Sequence, residues 1–360
     1  MKKVLILTAD KTGSGHKACS NAIEKKLQER GYETKQIDAF PLMGYLGNFM
    51  EASYIPVTTK APYAFYFGEQ ASEFFPGVFH TQIYFGMRKN LLKEIQSYQP
   101  DLIISVQTMF TKAVSRLIRE YDLHIPFYIG VIDLIDPPTI WMDTDADVSF
   151  VPSEAIRRDY LSKGFREDQV VVSGFPVRDD IVLPTEPKKV ESPIHILMVN
   201  PSTDLKKNIH FLREVSRLDN ITVDFICGLN EELHKTLTAM KEEGELPDFV
   251  NIHGFVSNMN DFLADAHIIM TKAGPNVIIE SLRSGTAVVI TGHIQGQENN
   301  NYRFVTDHDC GFKCEDPEEI YEQMKNFIET DALQECLKNA FEIDIRNGAE
   351  IIADYVKEHI

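Results

Sequence analysis

Residues 266–301 read AHIIMTKAGPNVIIESLRSGTAVVITGHIQGQENNN. An apolar run, Ala266 to Met270, is too short for a helix and reads as a buried strand. Lys272-Ala273-Gly274-Pro275 then opens a helix, with Pro275 in the first turn, where a missing N–H costs nothing. That helix carries Glu280 and ends near Gly285, and Ala287 to Ile290 is a second buried strand. Strand, helix and strand in alternation read as part of a parallel, doubly wound sheet. The helix N-terminus behind the first strand suits an anion. A carboxylate one to two turns in can hold a ribose hydroxyl, and the polar loop after the second strand offers an amide and a carboxylate to sugar hydroxyls. The stretch fits a nucleotide-sugar.

The alternation continues in both directions. Val4 to Thr8 is an apolar strand, Ser14 to Arg30 repeats Ala18, Ala22, Ile23 and Leu27 at helical spacing, and Thr34 to Ile37 is a strand. Asp101 to Val106, Pro126 to Val131 and Ser149 to Val151 follow as short buried strands. Leu183 to Pro193 (LPTEPKKVESP) interrupts the pattern with three prolines and four charges and reads as a linker. Ile194 to Val199, Thr222 to Cys227, Val250 to His253, His267 to Met270 and Ala287 to Ile290 then restart it. The fold class is α/β, with two Rossmann-like doubly wound domains facing across a cleft, where ligands bind at the C-terminal ends of the strands. The boundaries are 1–182, 183–193 and 194–360.

A chain of 360 residues with 43% hydrophobic and 25% charged residues is of globular type. Its formal charge of −18 opposes nucleic acid and a polybasic grip on anionic lipid. No apolar run approaches the roughly 18 residues that a membrane span needs. The apolar run after Lys2-Lys3 meets Asp10 and reads as a first strand, not a secretory leader. Five scattered cysteines, including Cys310 and Cys314 without a second pair, read as reduced thiols, and no metal site is expected.

Gly13-Ser14-Gly15-His16 joins the first strand to the first helix. Taken alone, it fits equally a glycine turn with a surface histidine. In the first helical turn, the positive end of the helix disfavours imidazolium, so His16 is expected to be neutral and able to accept a proton. Thirteen aromatics, among them Tyr45, Phe49, Tyr63, Phe74 and Phe85, fall within 40–90 together with Pro41, Pro56, Pro62 and Pro76, and the period is neither helical nor strand-like. This insertion reads either as aromatics packed on the first domain's sheet or as an apolar, membrane-facing groove, and both can hold at once.

With GSGH, Val172 to Pro176 (VSGFP) and Lys272 to Asn301 quoted, the chain resembles the GT-B glycosyltransferases of the monogalactosyldiacylglycerol synthase and processive diacylglycerol glucosyltransferase group (glycosyltransferase family 28-like). These are related to the N-acetylglucosaminyltransferase that makes lipid II. The resemblance implies an inverting hexosyltransferase that moves a sugar from a UDP-sugar to a hydroxyl of a diacylglycerol-like lipid or other apolar acceptor. The first domain is then the acceptor side and the second the donor side, with the last helix packing back on the first. His16 is implied as the base and Asp133 as an acceptor-side helper. Gly15, Lys272, Gly274, Pro275, Asn276, Glu280, Gln297, Glu298 and Asn301 are implied around the donor. The UDP-sugar is a co-substrate, and no cofactor or metal is expected. A peripheral position at the inner face of the cell membrane, on the cytoplasmic side, is implied as well.

Two departures from the family pattern stand out. Ile132 and Pro138 replace a threonine and a histidine around Asp133, ahead of Trp141, which reads as a core anchor. After Val199 a glycine-rich loop is replaced by Asn200 to Lys207 (NPSTDLKK), in which Asp204 would repel a phosphate if it faced one; Ser202, Thr203 and Lys206 are the residues that could donate to a phosphate instead. Asn276-Val277 also stands where a smaller pair is usual. A nucleotide-sugar-binding protein without transfer, a UDP-sugar epimerase and a transferase for a soluble acceptor are the competing readings.

Overall fold

A computed structural model describes residues 1–10, 14–60, 76–294 and 298–360. It contains two compact units, the first made of 1–179 and 345–360, the second of 180–294 and 298–344.

The first unit holds β1 (Lys3–Thr8), β2 (Glu33–Asp38), β3 (Leu102–Ser105), β4 (Phe127–Gly130), β5 (Val148–Val151) and β6 (Val170–Val172). They pair in parallel in the order β2-β1-β3-β4-β5-β6. Val4 to Leu7 are wholly buried, as expected of a strand with helices on both faces. The order reverses between β1 and β3, which makes that crevice the switch point where doubly wound sheets bind ligands.

The second unit repeats the plan. Its strands are β7 (Ile194–Val199), β8 (Ile221–Ile226), β9 (Val250–His253), β10 (Ile268–Lys272), β11 (Ala287–Gly292) and β12 (Gly311–Lys313). Their order is β12-β11-β10-β7-β8-β9, again all parallel. Here the reversal lies between β7 and β10. The loops that leave those two strands begin at Asn200 and Ala273, so both flank the second switch point.

Several sequence expectations need adjustment. Within the insertion, Tyr45–Lys60 and Pro76–Tyr98 are helices, although the sequence shows no helical period there. Tyr45, Leu46 and Phe49 stay 88%, 52% and 61% exposed, while Glu51 of the same helix is buried. Apolar and polar positions are thus inverted, and the periodicity signal is lost. Tyr63 and Phe74 lie outside the described residues. The segment read as a linker belongs to the second unit: Lys188 Nζ donates to the carbonyls of Leu263 and Ala266 and to Thr286 Oγ1 at 2.7 to 2.8 Å.

The helix Gly348–His359 is part of the first unit. Ala349, Ile352, Ala353 and Val356 are buried with Val4, Ile6 and Ile23 of the first core. VSGFP acquires a structural role here. Gly174 has φ +78°, and a Cβ there would lie 2.8 Å from the Arg346 carbonyl oxygen. The Gly348 N–H donates to the Phe175 carbonyl at 2.9 Å. Lys26 and Arg30 reach Glu350 at 2.5 and 2.7 Å and complete the attachment.

All five cysteines are buried free thiols. Among the described residues no group of three His, Cys, Asp or Glu side chains is arranged to hold a metal, and no helix is long and apolar enough to cross a membrane.

Candidate functional site

At the first switch point, His16 is the third residue of the helix Ser14–Glu29. Its Nδ1 lies 2.8 Å from the carbonyl oxygen of Val106, the residue after β3. A carbonyl can only accept, so Nδ1 carries the proton and Nε2 is left with a lone pair. The hydrogen bond crosses the reversal between β1 and β3 and fixes the ring there. Burial pushes the His16 imidazole below its usual value, against the opposing pull of the Val106 carbonyl. A neutral ring with a held tautomer is the state required of a general base. Gly15 precedes it in the same turn; Gly13 lies outside the described residues.

Asp133 follows β4 on the same C-terminal edge, since β1, β3 and β4 are mutually parallel. The indole N–H of Trp141 donates to its carboxylate. Trp141 is wholly buried, so the core anchor read in the sequence also holds an acid at the edge. That pairing was not legible, because nothing in the spacing of Asp133 and Trp141 dictates it.

In the second unit, Gly274 caps the helix Pro275–Arg283 with φ −67° and contributes no side-chain cap. Neither its backbone angle nor its surroundings demand a glycine: an added Cβ would lie 3.7 Å from Glu298 Oε1, ordinary contact distance. The missing Cβ therefore leaves open space between the helix start and the Glu298 carboxylate. The Ile294 N–H donates to Glu298 Oε2 at 2.7 Å. Burial pushes Glu298 up, opposed by that N–H, Lys272 and His293. Burial pushes Lys272 down, opposed by Glu298. Lys272, Gly274 and Glu298 therefore share one partly desolvated place, where charge acts strongly.

Glu280 lies on the same helix and is only 8% exposed, so it is not a solvated surface carboxylate. Asn301 is also buried, and its Nδ2 donates to the Ala273 carbonyl at 2.9 Å. Its amide thus ties the polar loop to the loop before the helix. Asn276 stands in the helix's first turn beside Pro275. Gln297 lies outside the described residues. His293 directly follows β11 and sits 2.5 Å from Glu315. The sequence reading passed over it, although its place after a buried strand was a signal.

The loop after β7 is folded differently from its reading. Asp204 is the N-cap of the helix Leu205–Val215, accepting from the Lys207 N–H at 2.8 Å; its charge serves that helix end. Ser202 is buried and internally engaged: its N–H donates to Asn208 Oδ1 at 2.8 Å, and its Oγ accepts from the Asp204 N–H. Thr203 is exposed. Asn200 supplies the left-handed turn, with φ +41°, that a glycine would give. Thr291 Oγ1 donates to the Pro201 carbonyl at 2.8 Å, fastening the loop to β11.

Known proteins give the two arrangements a context. A family model described as monogalactosyldiacylglycerol (MGDG) synthase matches residues 16–177, and one described as glycosyl transferases group 1 matches 195–330. The chain is 26% identical to monogalactosyldiacylglycerol synthase 1, chloroplastic, of Arabidopsis thaliana, over 89% of this chain and 63% of that protein. It is 23% identical to the processive diacylglycerol beta-glucosyltransferase of Bacillus subtilis (strain 168), over 99% of this chain and 95% of the other. In fold it is similar to Acinetobacter baumannii MurG, with TM-score 0.67, 14% identity and coverage of 99% and 100% of the two chains. A UDP-GlcNAc 2-epimerase from Neisseria meningitidis bound to UDP-GlcNAc gives TM-score 0.63, 14% identity and the same coverage. At such identities the structural likeness establishes the architecture alone.

Proposed function

We propose that the chain, as a member of the GT-B glycosyltransferases of the monogalactosyldiacylglycerol synthase and diacylglycerol glucosyltransferase group, transfers a hexose from a UDP-sugar to the hydroxyl of a diacylglycerol-like lipid. The observation that carries the proposal is the His16 ring, with Nδ1 pinned to Val106 and Nε2 left as acceptor at the first switch point.

In this reading Nε2 takes the proton of the acceptor hydroxyl as its oxygen attacks the anomeric carbon. The C1–O bond to UDP breaks on the opposite face, so the configuration inverts. The helix that starts at Pro275 and the Lys272 ammonium stabilise the charge on the departing diphosphate. Glu280 holds the ribose, and Glu298, with Gln297, orients the hexose. Asp133, held by Trp141, acts on the acceptor side. No metal is assigned a part, because the helix end and Lys272 supply the positive charge.

The lipid is placed at the helix Tyr45–Lys60, whose Tyr45, Leu46 and Phe49 are exposed. Large apolar side chains grouped in this way suit a membrane interface. In a chain of −18 charge, they give a peripheral grip on the inner face of the cell membrane that needs no basic cluster.

Calorimetric titration with UDP, UDP-glucose, UDP-galactose and UDP-N-acetylglucosamine tests the donor side. Saturable binding of UDP and of one sugar form is expected, with Glu298→Gln weakening the sugar form more than UDP. Failure of all four to bind would remove the donor site and the transferase reading with it.

A further inference from the structure

A second concave site lies on the first unit, with its own chemistry. It is a cavity of about 240 Å³ between the helices Pro76–Tyr98 and Thr111–Glu120 and the loop before β5. His80 and Thr81 line it from the first helix, Lys112, Arg116 and Arg119 from the second, and Asp143 from the loop.

The acidic groups of this wall are already engaged. Asp143 is 3% exposed and accepts from Ser115 Oγ at 2.6 Å and from the Asp145 N–H at 3.1 Å. Asp145 pairs with Arg119 at 2.5 Å. The remaining cations are not neutralised to the same degree. Lys112 makes no ion pair among the described residues. Arg116 is 3.7 Å from Glu120, and its guanidinium lies 4.1 Å over the Tyr84 ring, which fixes its plane. His80 Nδ1 is buried and has no hydrogen-bond partner among the described residues. A buried ring nitrogen left in that state is destabilising until a partner is supplied.

We propose that this cavity binds a phosphate group, held by Lys112, the Arg116 guanidinium and the His80 Nδ1–H. The groups on offer combine a point charge and a planar fork from one helix with a neutral donor from the other, while the Thr81 hydroxyl is spent on the Gly77 carbonyl at 2.6 Å. Phosphate, with several acceptor oxygens and up to two charges, can use them together, whereas a carboxylate offers only two oxygens. Burial and the nearby Lys112 push the unliganded His80 down to about 4, so it is a neutral donor at ordinary pH. The site is independent of the donor reading, because none of its residues belongs to that machinery. The phosphate can be borne by a soluble molecule or by a phospholipid headgroup.

The test uses the full chain with UDP present to occupy the donor site. Inorganic phosphate is titrated against chloride at matched ionic strength. Phosphatidylcholine vesicles with and without phosphatidate form the second arm. Wild type is compared with Lys112→Ala and with the double variant Lys112→Ala/Arg116→Gln. Affinity is expected to fall about tenfold or more in the double variant, or about 1.4 kcal/mol, with UDP affinity unchanged. The His80 ring, followed by NMR, is expected to titrate at higher pH once phosphate is bound. A variant effect on phosphate assigns a soluble source, and an effect confined to phosphatidate vesicles assigns a headgroup. Equal affinity in wild type and both variants, or no saturable binding in either arm, overturns the proposal. Lys112→Ala removes no ion pair, so it remains informative should the double variant fail to fold.

Discussion

His16 joins chemistry to fold through one hydrogen bond. The sequence gives the residue its helix N-terminus; the Val106 carbonyl, ninety positions away, gives it a tautomer. Burial lowers its pKa from 6.5, so the native state binds fewer protons than the unfolded chain in the window between the two values. Stability from this group is therefore present above pH 6.5 and is lost as pH falls through the lowered value. In the proposed role of base, the ring is neutral over the same range. The acid limb of kcat/KM is expected below pH 6.5, and a limb above it would show that His16 is charged in the free enzyme. The placement of the candidate residues after strands was readable at this scale, because the GSGH and Lys272 to Asn301 runs each follow a short apolar strand. Asp204 was misread because a carboxylate near a phosphate loop and an N-cap look alike until the helix start is known. Trp141 and Asp133 come together only through the fold.

At the scale of elements, the loop after β7 shows how a left-handed turn can be made without glycine. Asn200 takes the left-handed turn, and Asn208 closes the loop on the Ser202 backbone through its N–H and its carbonyl. Asn208→Ala leaves both groups without that partner in a buried setting. A loss of about 1–3 kcal/mol is expected in urea unfolding, with weaker UDP binding as the loop loosens. An unchanged midpoint and affinity would show that the amide is dispensable. The long apolar strands and the helices with a clear period were legible from the chain. β6 and β12 escaped because three residues each carry too little pattern. The helix Tyr45–Lys60 escaped because it exposes aromatics and buries Glu51, and because Pro56 argues against a helix interior.

Over the whole molecule, two units of the same plan each place their candidate residues at the C-terminal ends of the strands that flank a reversal. Parallel order explains why both motifs follow strands, and why alternation alone sufficed to read the architecture. The chain's end is less simple. Gly348–His359 belongs to the first core, and the glycine of VSGFP is required by its positive φ and the close passage of Arg346. Ile352 is wholly buried there. Ile352→Ala is expected to cost about 2–5 kcal/mol, read as an early unfolding transition while UDP still protects the second unit. A single unshifted transition would show that the helix contributes little to the first core. The measurement that bears most directly on the account is transfer of labelled hexose from UDP-glucose and UDP-galactose to diacylglycerol in vesicles by wild type and His16→Ala. Wild type is expected to form an inverted glycolipid, and His16→Ala to lose about 10²–10⁴ in rate while keeping its UDP affinity. Equal transfer by the two proteins, or loss of UDP binding in the variant, would contradict His16 as the base.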